Sequence, residues 1–155
     1  MPDRIQYVHT NLIAKDWRKL AQFYIDVFGC RPLYPERDLQ GEWVAQLTGI
    51  EDVRIQGIHL RLPGNEAGPT LEIFGYQPDQ CREIPPAINH PGFGHIAFHV
   101  DSVEAVLSEL TAHGGKALGK VVRKEYETIG LLTAVYARDP EGNIIEIQNW
   151  QKRKE

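Results

Sequence analysis

The stretch Gly94-His95-Ile96-Ala97-Phe98-His99-Val100, followed by Asp101-Ser102 and then Val103, Val106, Leu107 and Leu110, decides the fold, because it writes for a second time a pattern that begins at His9. A constant shift of 86 positions lays His9 on His95, Asp16 on Ser102, Trp17 on Val103, Leu20 on Val106, Tyr24 on Leu110 and Gly29 on Gly115. A fixed-period repeat of this kind marks two copies of one supersecondary unit. Each copy gives a short strand bearing a histidine, a capping residue, an amphipathic helix and a terminating glycine. In the first helix Leu20, Phe23, Tyr24, Val27 and Phe28 fall at i, i+3, i+4, i+7 and i+8, the spacing of one buried stripe, and Asp16 can cap its free amides. In the second, Val103, Val106, Leu107 and Leu110 make a narrower stripe, with Asp101 or Ser102 at the N-terminus, Glu104 against the positive helix end, and Gly114 or Gly115 for a left-handed C-cap.

Strand-like runs follow each helix: Trp43–Leu47, Ile55–Leu62 and Thr70–Tyr76, then Val121–Lys124, Leu132–Ala137 and Asn143–Trp150. Each half reads as β-α-β-β-β, so the class is α+β. In the second half Arg138-Asp139-Pro140-Glu141-Gly142 joins the last two strands, with Pro presetting φ and Gly accepting a positive one. The corresponding link in the first half, Pro63 to Pro69, is longer. A Pro-rich passage, residues 77–92, separates module 5–76 from module 93–150, and the whole makes a single domain.

Composition bounds what such a chain can do. At 155 residues with 42% hydrophobic and 25% charged side chains it can bury a core, and its net charge of −4 offers no basic footprint for nucleic acid or an anionic membrane. Cys30 and Cys81 are too few and too far apart for a disulfide scaffold or a thiolate zinc site, and read as reduced thiols. No apolar signal core follows Met1-Pro2-Asp3, and no run approaches the roughly 18 apolar residues of a membrane span, so a cytoplasmic protein is expected.

Two-residue alternation then sorts the strands into faces. His95, Ala97 and His99 share one side of their strand, opposite Ile96, Phe98 and Val100. Glu146 shares a side with Ile144 and Gln148, while Ile145 and Ile147 turn toward the helix. Glu72, between Leu71 and Ile73, repeats that arrangement, and His9 sits with Asn11. Each half therefore aims one imidazole and one carboxylate to the same side of its own sheet. The glutamates are 74 positions apart against 86 for the histidines, so the first half carries 12 extra residues, which its longer loops absorb.

With the strand Gly94 to Val100 opening one module and Asp139-Pro140-Glu141-Gly142-Asn143-Ile144-Ile145-Glu146 closing it, the chain resembles the vicinal oxygen chelate superfamily, which includes glyoxalase I, methylmalonyl-CoA epimerase, extradiol dioxygenases and bleomycin or fosfomycin resistance proteins. The likeness runs from about Ile5 to Trp150 and implies two tandem modules whose curled mixed sheets enclose a cavity. It also places His9, Glu72, His95 and Glu146 on the superfamily's four metal-ligand positions, the set that bacterial glyoxalase I uses.

Two imidazoles and two carboxylates suit a divalent cation of the Ni, Co, Zn, Mn or Fe(II) kind and leave water-filled positions that a substrate with adjacent oxygens can occupy. The expected enzyme is a lyase, isomerase or epimerase working through a metal-bound enediolate or enolate, with Glu146 and Glu72 as the proton-moving carboxylates. Substrate contacts are expected from Asn11, Phe74, Tyr76, His99, Gln148 and Trp150. His59, His90 and His113 match no ligand position and receive no role.

Other readings of the same pattern remain. In glyoxalase I an arginine four residues after the first ligand histidine and an asparagine four after the first ligand glutamate hold the glutathione glutamyl group; Ile13 and Tyr76 stand there, which argues against glutathione. An extradiol dioxygenase would use His9, His95 and Glu146, with Glu72 an obstacle to dioxygen. A metal-free, ligand-sequestering protein of the bleomycin-resistance kind would lack the four ligands. The resemblance also implies a homodimer, with modules pairing within or between chains, and a small molecule as the partner.

Overall fold

The computed structural model describes residues 4–80 and 84–153. Met1 to Asp3, Cys81 and the last two residues of the charged tail lie outside the described residues. The chain is an α+β protein with two mixed sheets, and it divides into two compact units, Met1–Cys81 and Arg82–Glu155.

The first unit runs β1 (His9–Ile13), α1 (Trp17–Phe28), β2 (Arg31–Gln40), α2 (Glu42–Thr48), β3 (Arg54–Arg61) and β4 (Thr70–Gln77). Its sheet has the order β1-β4-β3-β2, parallel between β1 and β4 and antiparallel elsewhere. Helix α1 begins where expected: the Asp16 carboxylate accepts the Lys19 amide at 3.1 Å. It stops at Gly29, whose φ of +69° is a left-handed conformation that a Cβ would disfavour. Leu20, Phe23, Tyr24 and Phe28 are buried on its inner face, and the helix packs on β3 and β4, whose Ile58, Leu60, Leu71 and Ile73 are also buried. Each such side chain contributes about 1.5–3 kcal/mol of burial.

Two elements depart from the expected pattern. Trp43–Leu47 is helical, not a strand. The segment lies between Gly41 and Gly49, the latter at φ +73°, and buries only Val44, which joins a cluster with Val53, Ile55 and Phe74 on the sheet face opposite α1. The strand after α1 is instead β2, despite Pro32 and Pro35. It tolerates both because it is the edge strand, paired on one side only, and its register shifts between Leu33 and Arg37. Asp38 and Arg54 pair across it to β3.

The second unit runs β5 (His95–His99), α3 (Val103–Ala112), β6 (Lys116–Ala117), β7 (Val122–Tyr126), β8 (Gly130–Arg138) and β9 (Ile144–Gln151), with sheet order β5-β9-β8-β6 and β7 also on β8. The short β6 and β7 occupy successive parts of β8, filling together the place that β2 holds in the first unit. The Ser102 hydroxyl caps α3 by accepting the Ala105 amide, and Gly114 carries the positive φ, +95°, that ends it. Val103 and Leu110 are fully buried, and α3 packs on β8 and β9, where Val135, Ile145 and Ile147 are buried.

The closing turn is held by one carboxylate. Asp139 is 3% exposed; its Oδ1 accepts the amides of Glu141 and Asn143 at 2.9 and 3.0 Å, and its Oδ2 accepts Asn143 Nδ2 at 2.8 Å. That turn fixes the β8–β9 register, which sets Tyr136 opposite Glu146.

Candidate metal centre

In each unit the first strand lies parallel to the last, so the histidine that opens the unit and the glutamate near its end come to neighbouring strands. In the first, β1 against β4 sets His9 opposite Thr70 and Asn11 opposite Glu72. In the second, β5 against β9 sets His95 opposite Ile144 and Ala97 opposite Glu146. Histidine and glutamate are thus diagonal neighbours on one face in both units. His9 Nε2 is 3.4 Å from Glu72 Oε1, and His95 Nε2 is 3.1 Å from Glu146 Oε2.

Those separations test whether a metal fits. Donors about 2.1 Å from one ion lie about 3.0 Å apart at right angles and about 3.4 Å apart at the tetrahedral angle. Both pairs fall in that interval, and imidazole nitrogen with carboxylate oxygen is a donor set suited to divalent transition metals. The residues present fit such an ion.

The two carboxylates are held differently. Glu72 is 8% exposed and engaged at both oxygens: Asn11 Nδ2 donates to Oε1 at 2.8 Å, and His59 Nε2 approaches Oε2 to 2.8 Å. Among the described residues His9, His59 and Glu72 form the one group of three such donors, their ligand atoms all within 4.8 Å of one another. Burial holds the His59 imidazole below its ordinary pKa, outweighing the opposite pull of Glu72, and Arg37 and His9 push the same way as burial. A neutral ring offers the lone pair that a metal requires. Glu146 is half-buried, with His95 at its Oε2.

The remaining candidates divide. Asn11 is committed to Glu72. Phe74 is buried in the Val44 cluster with its ring 5.9 Å from that of His59, so it backs the first pair, and Tyr76 packs on the same cluster. His99 is exposed, opposite Gln148 on β9, whose Oε1 accepts from Trp150 Nε1 at 2.8 Å; the Trp150 ring meets Tyr126. Ile13 is half exposed on the side of β1 that carries His9 and Asn11.

His59 has no counterpart under the shift that matches the histidines, so the repeat alone gives it no role. The signal was in the hairpin. With Arg61 opposite Thr70, every pair on β3 and β4 sums to 131, which puts His59 opposite Glu72.

Residues 6–147 match the family model described as the Glyoxalase/Bleomycin resistance protein/Dioxygenase superfamily. The chain belongs to that superfamily. Relatives within the glyoxalase superfamily include a probable lactoylglutathione lyase from Vibrio parahaemolyticus, 30% identical over 93% of this chain and 91% of that protein. A 2-epi-5-epi-valiolone epimerase from an Actinomyces species is 29% identical over 74% of this chain and 62% of its own length. The solved structure of a glyoxalase family protein from Bacillus cereus shares the fold, with a TM-score of 0.75 at 20% identity over 97% of this chain and 95% of that one.

Proposed function

We propose that this glyoxalase-superfamily protein is a divalent-metal-dependent lyase, isomerase or epimerase that moves a proton between adjacent carbons of a small substrate bearing two neighbouring oxygens. His9, Glu72, His95 and Glu146 would hold the ion. The observation that carries the reading is the repeated His–Glu pair, at 3.4 and 3.1 Å, at matched places in the two sheets. Relatives named as a lyase and an epimerase support the same reaction class.

When bound, the cation supplies Lewis acidity that stabilises negative charge on a substrate oxygen. The chain supplies the proton transfer. Glu72, engaged at both oxygens, is suited to hold its place. Glu146, with His95 at one oxygen, keeps the other for taking a proton from one carbon and returning it to the next. Gln148, His99 and Trp150 would orient the substrate. Ile13 and Tyr76 offer no charge for a glutamyl carboxylate, which favours a substrate other than a glutathione conjugate. The protein would act as a cytoplasmic homodimer; among the described residues no helix is long and apolar enough to cross a membrane.

The test is solvent exchange. Metal-loaded protein in D2O is given α-hydroxy-carbonyl, thioester and 2-oxo compounds, with S-lactoylglutathione as the glutathione arm, and deuterium at the carbon beside the carbonyl is followed by NMR. Exchange with a compound lacking glutathione, lowered about 10²–10⁴-fold by Glu146→Gln, is expected. Ring-opened products from catechols, or full exchange in Glu146→Gln, would contradict the mechanism.

A further inference from the structure

We infer that the first unit is by itself a three-donor metal site in which His59 is the second imidazole ligand. The inference rests on the metal reading above and changes how the ion is held. Three adjacent strands supply the donors: His9 from β1, Glu72 from β4 and His59 from β3. Register makes the arrangement a property of the sheet, since Asn11, Glu72 and His59 stand in one row across β1, β4 and β3. Both imidazoles bring Nε2 to the same carboxylate, His9 at Oε1 and His59 at Oε2. Their rings meet edge to face, 5.8 Å apart at 89°, so they approach from different directions, as two ligands of one ion do. Asn11 fixes the carboxylate between them, and Phe74 backs the His59 ring.

Among the described residues the second unit has no such third donor. Its equivalent row is Ala97, Glu146 and Tyr136, and the Tyr136 ring lies 5.0 Å from that of His95. A methyl group replaces the Asn11 amide, and a phenol replaces the His59 imidazole. Two imidazoles and one carboxylate suffice to hold catalytic zinc in other enzymes. Retention of the ion thus falls to His9, His59 and Glu72, which leaves His95 and Glu146 to exchange and to move protons.

The experiment is a cobalt(II) titration of the full chain, read by competition with a chromophoric chelator and by the visible bands of bound cobalt. Four proteins are compared: wild type, His59→Ala, His59→Gln and the double variant His95→Ala/Glu146→Gln, each checked for folding by thermal unfolding without metal. The double variant is expected to bind cobalt one to one. His59→Ala is expected to lose more than the roughly 100-fold that removal of an orienting neighbour costs, with altered cobalt bands. His59→Gln should also change the bands, because an amide oxygen replaces a nitrogen. If the alanine variant does not fold, imidazole 15N spectra of wild type with zinc decide, and direct shifts at Nε2 of both His9 and His59 are expected. Unchanged affinity in His59→Ala overturns the inference, as does weakened affinity with unchanged bands, which would make His59 an orienting residue. Failure of the folded double variant to bind also overturns it. Wild type that binds no cobalt would instead overturn the metal reading itself.

Discussion

Replacing Asp139 by alanine removes the carboxylate that holds the β8–β9 turn and, through it, the register that delivers Glu146. The side chain is 3% exposed and accepts two backbone amides and one side-chain amide at 2.8–3.0 Å. Hydrogen bonds to a charged group contribute about 1.5–3 kcal/mol each, but three that share one carboxylate do not add, and the freed amides are half-buried and regain some water. The expected loss is about 3 kcal/mol, a large share of the roughly 5–15 kcal/mol that stabilises a domain. At about 2–4 °C per kcal/mol for a chain of this size, Tm falls by about 6–12 °C. Asp139→Asn should lose less, since Oδ1 can still take both backbone amides while its new Nδ2 faces that of Asn143. Urea unfolding followed by circular dichroism measures both. A loss under about 1 kcal/mol in Asp139→Ala, with an unchanged m-value, would show that the β8–β9 ladder holds the turn without the carboxylate and would refute the reasoning.

Two further outcomes follow from packing and burial. A Cβ at Gly57 would lie 2.1 Å from the Ile73 carbonyl oxygen and 2.4 Å from Phe74 Cδ1, so Gly57→Ala should cost about 2 kcal/mol or more and loosen the strand that carries His59, whereas Gly119→Ala, with nothing within 4 Å, should cost far less; equal melting temperatures would contradict this. The Cys30 thiol is 1% exposed and burial pushes its pKa up to about 12, so Cys30 of the folded protein should resist alkylation at pH 8, read on the Cys30 peptide by mass spectrometry. Because only the unfolded chain then releases that proton in the ordinary thiol range, stability contributed by the buried neutral thiol declines as pH rises through that range toward about 12. Alkylation at the rate of a free thiol would show the site to be open.

What the sequence displayed depended on how local its cause was. Both long helices could be read from stripe and cap, because Asp16 and Ser102 act on amides three residues ahead and the stripes repeat within each helix. The last two strands of each unit could be read from alternation, and with them the faces of Glu72 and Glu146. α2 could not: seven residues are too few to show a helical period, and Trp43 with Val44 imitates a buried strand. β2 was hidden because Pro32, Pro35 and four charges suit an edge, and being an edge is decided by where the other strands go. The pairs His9–Glu72 and His95–Glu146 were expected from alternation and resemblance. His59 required pairing β3 with β4, a relation between distant residues that periodicity within one strand does not contain.

The measurement that bears most directly on this account is elemental analysis of protein purified without chelator and loaded with a slight excess of divalent metal before exhaustive desalting. One ion per chain is predicted, lost when His9 and Glu72 are replaced together. Two ions per chain would mean that each unit binds its own, and none would mean that these histidines and glutamates are no metal centre at all.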